Sequence, residues 1–447
     1  MLSQGRRWIS FSFVFNQEHR NRGGTAVIRG DLREEQKEAL WQKARATGMT
    51  RAQFLLLLAG SGAAAVLAAC TPGTTTTTTT SSPAPTTTPS APARLVDEPV
   101  PPQFFNPIGG GNYEMNFAVM ANRTYAMPNS FFFVRDHTST PIIDIAKWSL
   151  SIEGDGVASP FSFNYDDLLK MPTTTVTRYV ECAGNGRSFF AGLLNNPAQG
   201  GQWHLGAYGV AEWTGVRLSE LLTRAGISSS AFDVMPWGFD STQVRRPMPV
   251  AKAMADDTIL AYMMNGDLLP LDHGFPARVI TPGWVGVANT KWVDKITVST
   301  TPQYSDWNTK LYILIGPDYQ PQPPGLGPPV SEQVMKSALC LPFPATLKSG
   351  RQKVVGYAWS PFGKVTNVDV SLDGGSTFQP ANLTGPNIER AGTRWEFSFS
   401  AQPGDMTITP RAADDQGNVQ YPASEQKWNQ QGYLFGAMVP HPVTVTA

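Results

Sequence analysis

Cysteine is scarce in this chain: three residues in 447, at positions 70, 182 and 340. So few thiols exclude a disulfide framework and a Cys-rich zinc site. Charge is sparse as well. Only 16% of residues are charged, and 35 acidic and 35 basic side chains cancel to zero. The broad basic field that holds nucleic acid is therefore missing, and that class of partner is disfavoured. No comfortable membrane span is present either: the uncharged stretch 54–69 is short and rich in Gly and Ala. What the chain has in quantity is glycine (41), proline (37) and tryptophan (12), a balance that favours loop-rich β structure over long solvated helices. Its length accommodates two or three domains.

The stretch 54–69 follows Arg51 and runs into Cys70, which suits the apolar core of a signal peptide. Leu67-Ala-Ala-Cys70 resembles the lipobox of bacterial lipoproteins, so Cys70 is a candidate lipidation site; the alternative is an uncleaved signal anchor. Residues 71–96 are dominated by Thr, Ser, Pro and Ala, which cannot bury a core and serve as a tether. Met49 is a plausible alternative start, leaving residues 1–48 as an extension or a mis-assigned beginning. Thr50-Arg-Ala-Gln-Phe-Leu55 resembles a twin-arginine export signal in which Ala52 takes the place of the second arginine.

The most informative segment is Arg178-Tyr-Val-Glu-Cys-Ala-Gly-Asn-Gly-Arg187. Apolar strand-forming residues before Cys182 and small residues after it place the thiol at the exit of a strand, where something bulky can approach the backbone. Arg178 and Arg187 are expected to favour the thiolate, the form that ligates metals. The competing reading is a buried structural cysteine. Phe131-Phe-Phe-Val-Arg-Asp-His-Thr138 reads as an aromatic strand with Arg135 and His137 on one face. Trp203 to Gly215 is a second aromatic, glycine-rich stretch leading into a short amphipathic helix over 217–225. Leu269 to Gly283 reads as a turn feeding a strand, followed by Ala288 to Val293. Together these describe a cationic, loop-built pocket around one thiol, suited to an anionic cofactor or substrate. From about Pro329 the pattern becomes period-two strands at 353–359, 365–372, 394–399 and 406–412, with a tight turn at Asp373-Gly-Gly375. That spacing points to an immunoglobulin-like sandwich. Cys340 reads as a buried free thiol at its start.

In combination these motifs resemble the sulfite oxidase family of molybdopterin enzymes. Arg135-Asp-His137 is similar to the family's cofactor loop, with Asp136 where Asn is usual. Glu181-Cys-Ala-Gly-Asn-Gly-Arg187 is similar to its molybdenum-cysteine motif, and Asp272 to Arg278 with Asn289-Thr-Lys-Trp292 to its later pterin-binding loops. The resemblance implies an α+β protein in which a mixed α/β molybdopterin domain over 97–325 precedes an all-β Ig-like dimerisation domain over 326–447. It implies that Cys182 ligates molybdenum, a soft thiolate suiting a metal whose other sulfurs come from the pterin. Arg135, Asp136, His137, Asp240, His273, Arg278, Asn289, Thr290 and Lys291 would hold the cofactor. Arg135, Arg187, Trp203 and Tyr312 would line the oxyanion pocket, where guanidinium groups bind small anions bidentately. The implied reaction is oxidation of sulfite, or a related sulfur oxyanion, to sulfate. The chain has no animal-type His-Pro-Gly-Gly haem motif, so electrons would pass to an external acceptor such as a periplasmic c-type cytochrome. A homodimer is implied, as is an exported, extracytoplasmic enzyme held to the membrane only through its N-terminus. Near the end, Trp428-Asn-Gln-Gln-Gly-Tyr-Leu434 matches the family except that Gln431 stands where many members carry Arg. Two alternatives remain open: a molybdopterin reductase of sulfoxides or oxyanions, and a non-catalytic Ig-domain lipoprotein.

Overall fold

The computed structural model describes residues 96–447. The extension 1–48, the signal segment 49–70 with Cys70, and the tether as far as residue 95 lie outside the described residues. The fold is α+β and carries far more strand than helix.

Two five-stranded sheets and a short hairpin, Phe105–Gly109 with Asn112–Met115, build the first domain. One joins Thr174–Glu181, Tyr208–Arg217, Ile259–Met264, Asp267–Leu268 and Arg278–Ile280, all paired antiparallel. The other runs Phe161–Asn164, Ser149–Glu153, Val293–Ser299, Asp233–Gly238 and Met248–Pro249. Its one parallel pair is Ser149–Glu153 with Val293–Ser299. The alternation in Ser-Leu-Ser-Ile-Glu buries Leu150 and Ile152 and leaves Ser149 and Glu153 exposed, as a half-buried strand requires. Both leucine-rich and aromatic positions from the two sheets meet in one core around Trp148, Leu150, Ile152, Leu222, Leu260 and Ile296. The expected amphipathic helix is Leu218–Arg224. Leu218, Leu221 and Leu222 face the core, while Glu220 in the first turn and Arg224 in the last complement the helix dipole.

Phe131 to His137 is not a strand. A 3-10 turn occupies Asn129–Phe131, and the following chain makes only an isolated bridge, Tyr113 with Val134. The reason lies in Asn112, whose Oδ1 accepts from the Asp136 backbone N–H at 2.9 Å. A side chain therefore takes the hydrogen bond that a neighbouring strand would supply.

The second domain is a sandwich of a four-stranded and a five-stranded sheet. Lys336–Leu339, Gly350–Trp359, Gly392–Ala401 and Asn382–Ile388 form one layer. Ala345–Lys348, His441–Thr446, Gly404–Asp414, Val365–Ser371 and Gln379–Pro380 form the other. Inward residues including Val354, Val368, Trp395, Phe397 and Ile408 interdigitate between them. Gly374 and Gly375 both have positive φ, 76° and 100°, in the turn foreseen at that point. Trp359 stacks on Tyr208 of the first domain with centroids 3.9 Å apart. The C-terminal segment then returns to the first domain, where Phe435, Ala437 and Val439 pack with Phe189, Phe190 and Ala198. That return places Gln431 and Tyr433 beside Arg187.

Candidate active site

Strand Thr174–Glu181 ends one residue before Cys182, which lines two cavities that share it. The inner cavity is lined by Cys182, Asp240, His273, Arg278 and Asn289 to Lys291. The outer one is lined by Arg187, Trp203, Gln431 and Tyr433. Arg135, His137, Cys182 and Tyr312 border both. Asp240, His273, Arg278 and Asn289 to Lys291 thus line the inner cavity alone and Arg187 and Trp203 the outer one alone, while Asp136 lines neither.

In the inner cavity Arg278 is buried, with Nη1 donating to the His273 carbonyl at 2.8 Å and Nη2 to the Asn289 carbonyl at 3.0 Å. It has no carboxylate partner among the described residues, and its Nε is buried and unpaired. Burial pulls the group down to about 9, which leaves it charged at neutral pH. A desolvated cation of this kind is costly unless an anion compensates it. Thr290 Oγ1 is likewise buried without a partner, and His273 Nε2 lies 3.4 Å from Glu98 Oε2 without forming a hydrogen bond. Unsatisfied donors lining one cavity fit a polar, anionic group such as a pterin with its phosphate. Asn289 fixes the loop: Oδ1 accepts from the Thr281 N–H at 2.8 Å. Asp240 caps its own turn by accepting from Thr242 and Val244.

Asp136 does not line either cavity. Its carboxylate accepts from Lys291 Nζ, which also donates to the Asp272 carbonyl at 2.7 Å and the Arg135 carbonyl at 3.2 Å. The extra negative charge relative to the family pattern is therefore a brace for Lys291, tying three loops together.

In the outer cavity Arg135 Nη2 lies 3.0 Å from His137 Nδ1, and His137 Nε2 lies 2.8 Å from the Tyr312 hydroxyl. A guanidinium only donates, so Nδ1 accepts. With Nδ1 accepting, the ring is neutral and its proton sits on Nε2; desolvation and the adjacent Arg135 charge act in the same direction, lowering His137 from its usual range, although the residue keeps substantial exposure. Nε2 then donates to the tyrosine oxygen, leaving the Tyr312 proton free to point at a ligand. Tyr312 stacks on Tyr433 with centroids 5.1 Å apart and planes 7° off parallel. Burial opposes the Arg135 cation, but Tyr312, Cys182 and Tyr433 around it outweigh this and hold it above its ordinary value.

Arg187 is threaded through glycines. A Cβ on Gly184 would lie 2.3 Å from its Nη2, one on Gly200 3.0 Å from its Nη1, and one on Gly432 2.6 Å from its Cγ. Its Nε donates to the Gln431 carbonyl and its Nη1 to the Gly201 carbonyl, each at 2.8 Å. The small residues after Cys182 thus admit the chain's own arginine. Arg178, by contrast, turns away from the thiol to pair with Asp257 at 3.0 Å; the second cation facing Cys182 is Arg135. Cys340 is buried, with its thiol pushed up to about 12 by burial, as its apolar neighbours imply.

Tyr433 and Asn112 were not singled out from sequence. Tyr433 stands in the matched C-terminal motif, which was the available signal, whereas Asn112 opens a strand just after the turn at Gly110-Gly111, a position that signals a turn and no role at the site. Among the described residues there is no cluster of three or more His, Cys, Asp or Glu able to hold a metal. No helix among the described residues is long and apolar enough to cross a membrane.

Comparison with known proteins gives the same picture. A family model described as "Oxidoreductase molybdopterin binding domain" matches residues 137–307, and "Mo-co oxidoreductase dimerisation domain" matches 330–443. Mitochondrial sulfite oxidase of Mus musculus is 36% identical over 331 residues, covering 70% of this chain and 60% of that protein. Sulfite oxidase of Gallus gallus is 34% identical over 345 residues, 73% of this chain and 74% of its relative. The crystal structure of the sulfane dehydrogenase SoxCD from Paracoccus pantotrophus superposes with a TM-score of 0.67 at 29% identity, covering 75% of this chain and 87% of that one. With Cys182 between an unsatisfied inner cavity and an arginine-lined outer one, and with both domains matched in order, the chain belongs to the sulfite oxidase family of molybdopterin oxidoreductases.

Proposed function

We propose that this protein oxidises sulfite, or a related sulfur oxyanion, to sulfate in a molybdopterin-dependent reaction and passes two electrons to a separate acceptor. The observation that carries this is the position of Cys182 at the seam between the inner cavity and the cationic outer one. When bound, the cofactor supplies two-electron oxygen-transfer chemistry. The chain's own residues do the rest. Arg278, Thr290 and the Asn289–Lys291 loop would hold the pterin, and Cys182 would ligate the metal. Arg135 and Arg187 would clamp the substrate's oxygens, and Tyr312 would donate to one of them, its orientation set by His137. Trp203, buried against the cavity wall, excludes water from one side. Atoms balance as sulfite plus water giving sulfate, two protons and two electrons.

The structural likeness to a sulfane dehydrogenase supports including less oxidised sulfur species among the substrates, and Gln431 in place of a basic residue supports the same extension. A c-type cytochrome is the proposed acceptor and a homodimer the proposed assembly, the second domain matching a dimerisation family. Export and lipid attachment at Cys70 complete the proposal, resting on the lipobox-like sequence and the tether.

The test is expression of the chain in a host that makes molybdopterin, with molybdenum measured per chain and sulfite-dependent cytochrome c reduction assayed. Near-stoichiometric metal and turnover are expected, and Cys182→Ser should abolish turnover while keeping the fold. Metal with sulfoxide reduction but no sulfite oxidation would move the protein to the reductase reading. Absence of metal would remove both.

A further inference from the structure

Glu181, immediately before Cys182, is fully buried, and nothing in the proposed reaction uses it. One carboxylate oxygen accepts from Lys336 Nζ at 2.5 Å and from Asn185 Nδ2 at 2.9 Å. The other accepts from Trp359 Nε1 at 2.9 Å, and the Glu181 carbonyl accepts from Gln333 Nε2 at 2.9 Å. Lys336, Trp359 and Gln333 all lie in the segment matched to the dimerisation domain. Lys336 and Gln333 are themselves buried.

The network closes on the cysteine from the other side. Asn185 Oδ1 accepts from the Ala207 N–H at 3.0 Å, the Ala207 carbonyl accepts from the Cys182 N–H at 2.9 Å, and the Asn185 N–H donates to the Cys182 carbonyl at 3.0 Å. Gly286 presses on the same turn, where a Cβ would lie 2.9 Å from the Glu181 carbonyl oxygen. A desolvated ion pair such as Lys336 with Glu181 is weak cement, because taking both charges out of water offsets their attraction. What charge-assisted bonds at fixed angles do provide is geometry.

We propose that the C-terminal sandwich positions the Cys182 loop through Lys336, Trp359 and Gln333, with Glu181 as the positioning residue that receives them. The second domain is then part of the active site as well as a candidate oligomerisation surface. Positioning does not depend on Cys182 being the metal ligand; only its consequence for metal binding rests on the proposed function.

The experiment follows alkylation of Cys182 by iodoacetamide in the full chain made without cofactor, read by mass spectrometry on the tryptic peptide 179–187. Trp359→Phe keeps a ring but removes the N–H donor, and Lys336→Met removes the cation. Val368→Ala, in the sandwich core, serves as a control of matched loss of Tm. Either network variant should react about tenfold faster than the control, the opening expected when a hydrogen bond to a charged group is lost. If neither reacts faster than Val368→Ala, the network is structural cement only and the proposal fails. The assay contains no molybdenum, so its outcome is independent of the proposed reaction.

Discussion

Gly184→Ala separates the contribution of Arg187 from that of the fold. Gly184 has no left-handed φ among the positive-φ positions, so alanine imposes no backbone strain. The new Cβ would instead stand 2.3, 2.6 and 2.8 Å from Nη2, Cζ and Nη1 of Arg187. A flexible guanidinium yields to that contact, abandoning its bonds to the Gly201 and Gln431 carbonyls and with them its aim into the outer cavity. Losing one hydrogen bond to a charged group costs about 1.5–3 kcal/mol, which corresponds to roughly ten- to a hundredfold in kcat/KM for sulfite. Most of the loss should appear in KM, because Arg187 is assigned to binding the anion. Steady-state kinetics on protein with molybdenum measured per chain is the assay, since Gly184 is close to Cys182. Fully loaded enzyme whose KM stays within about twofold of the parent would refute the clamp role of Arg187.

Tyr312→Phe removes the donor to substrate and the partner of His137 but keeps the stacking on Tyr433; kcat/KM should fall about tenfold or more with little change in Tm, and unchanged kinetics would contradict the assigned proton. Gln431→Arg should lower KM for sulfite by adding a charge-assisted contact; a raised KM would show that the glutamine is needed, its Oε1 being buried and unpaired. Burial holds His441 below its usual range, so the unfolded chain protonates first on acidification. Its stabilisation is complete above the unfolded value near 6.5 and is lost as pH falls, by at most about 1.4 kcal/mol per pH unit. Glu114 raises His204, a contribution of opposite sign, present at low pH and fading as pH rises. Urea titrations at pH 7.5 and 5.5 should show a shallower acid loss in His441→Gln than in the parent, and equal slopes would rule out His441 as a cause.

Several features were legible in the chain because they are local. Residues 174–187 announce a strand that ends at a small-residue turn, and Cys182 falls at that exit. The alternation after Pro329 gives strands within two or three residues of Gly350–Trp359, Val365–Ser371, Gly392–Ala401 and Gly404–Asp414. Motif order along 135–292 was enough to name the family and to choose residues that do line the two cavities, Asp136 apart. The aromatic run 131–137 misled, because β propensity cannot show that Asn112 supplies its hydrogen bond from a distant hairpin.

Side-chain type and spacing along the chain therefore determined the elements, the family and the chemistry-bearing residues. The folded structure alone decided their partners. Arg178 and Arg187 are equally cationic neighbours of Cys182 in sequence, yet one is captured by Asp257 and the other is led past Gly184, Gly200 and Gly432 into the outer cavity. Glu181 is one residue from the thiol, but apart from Asn185 its side-chain partners Lys336 and Trp359 lie more than 150 positions further on. Charges and hydrogen-bond donors act over a few ångströms of space, and only packing within and between the two domains fixes which groups come that close.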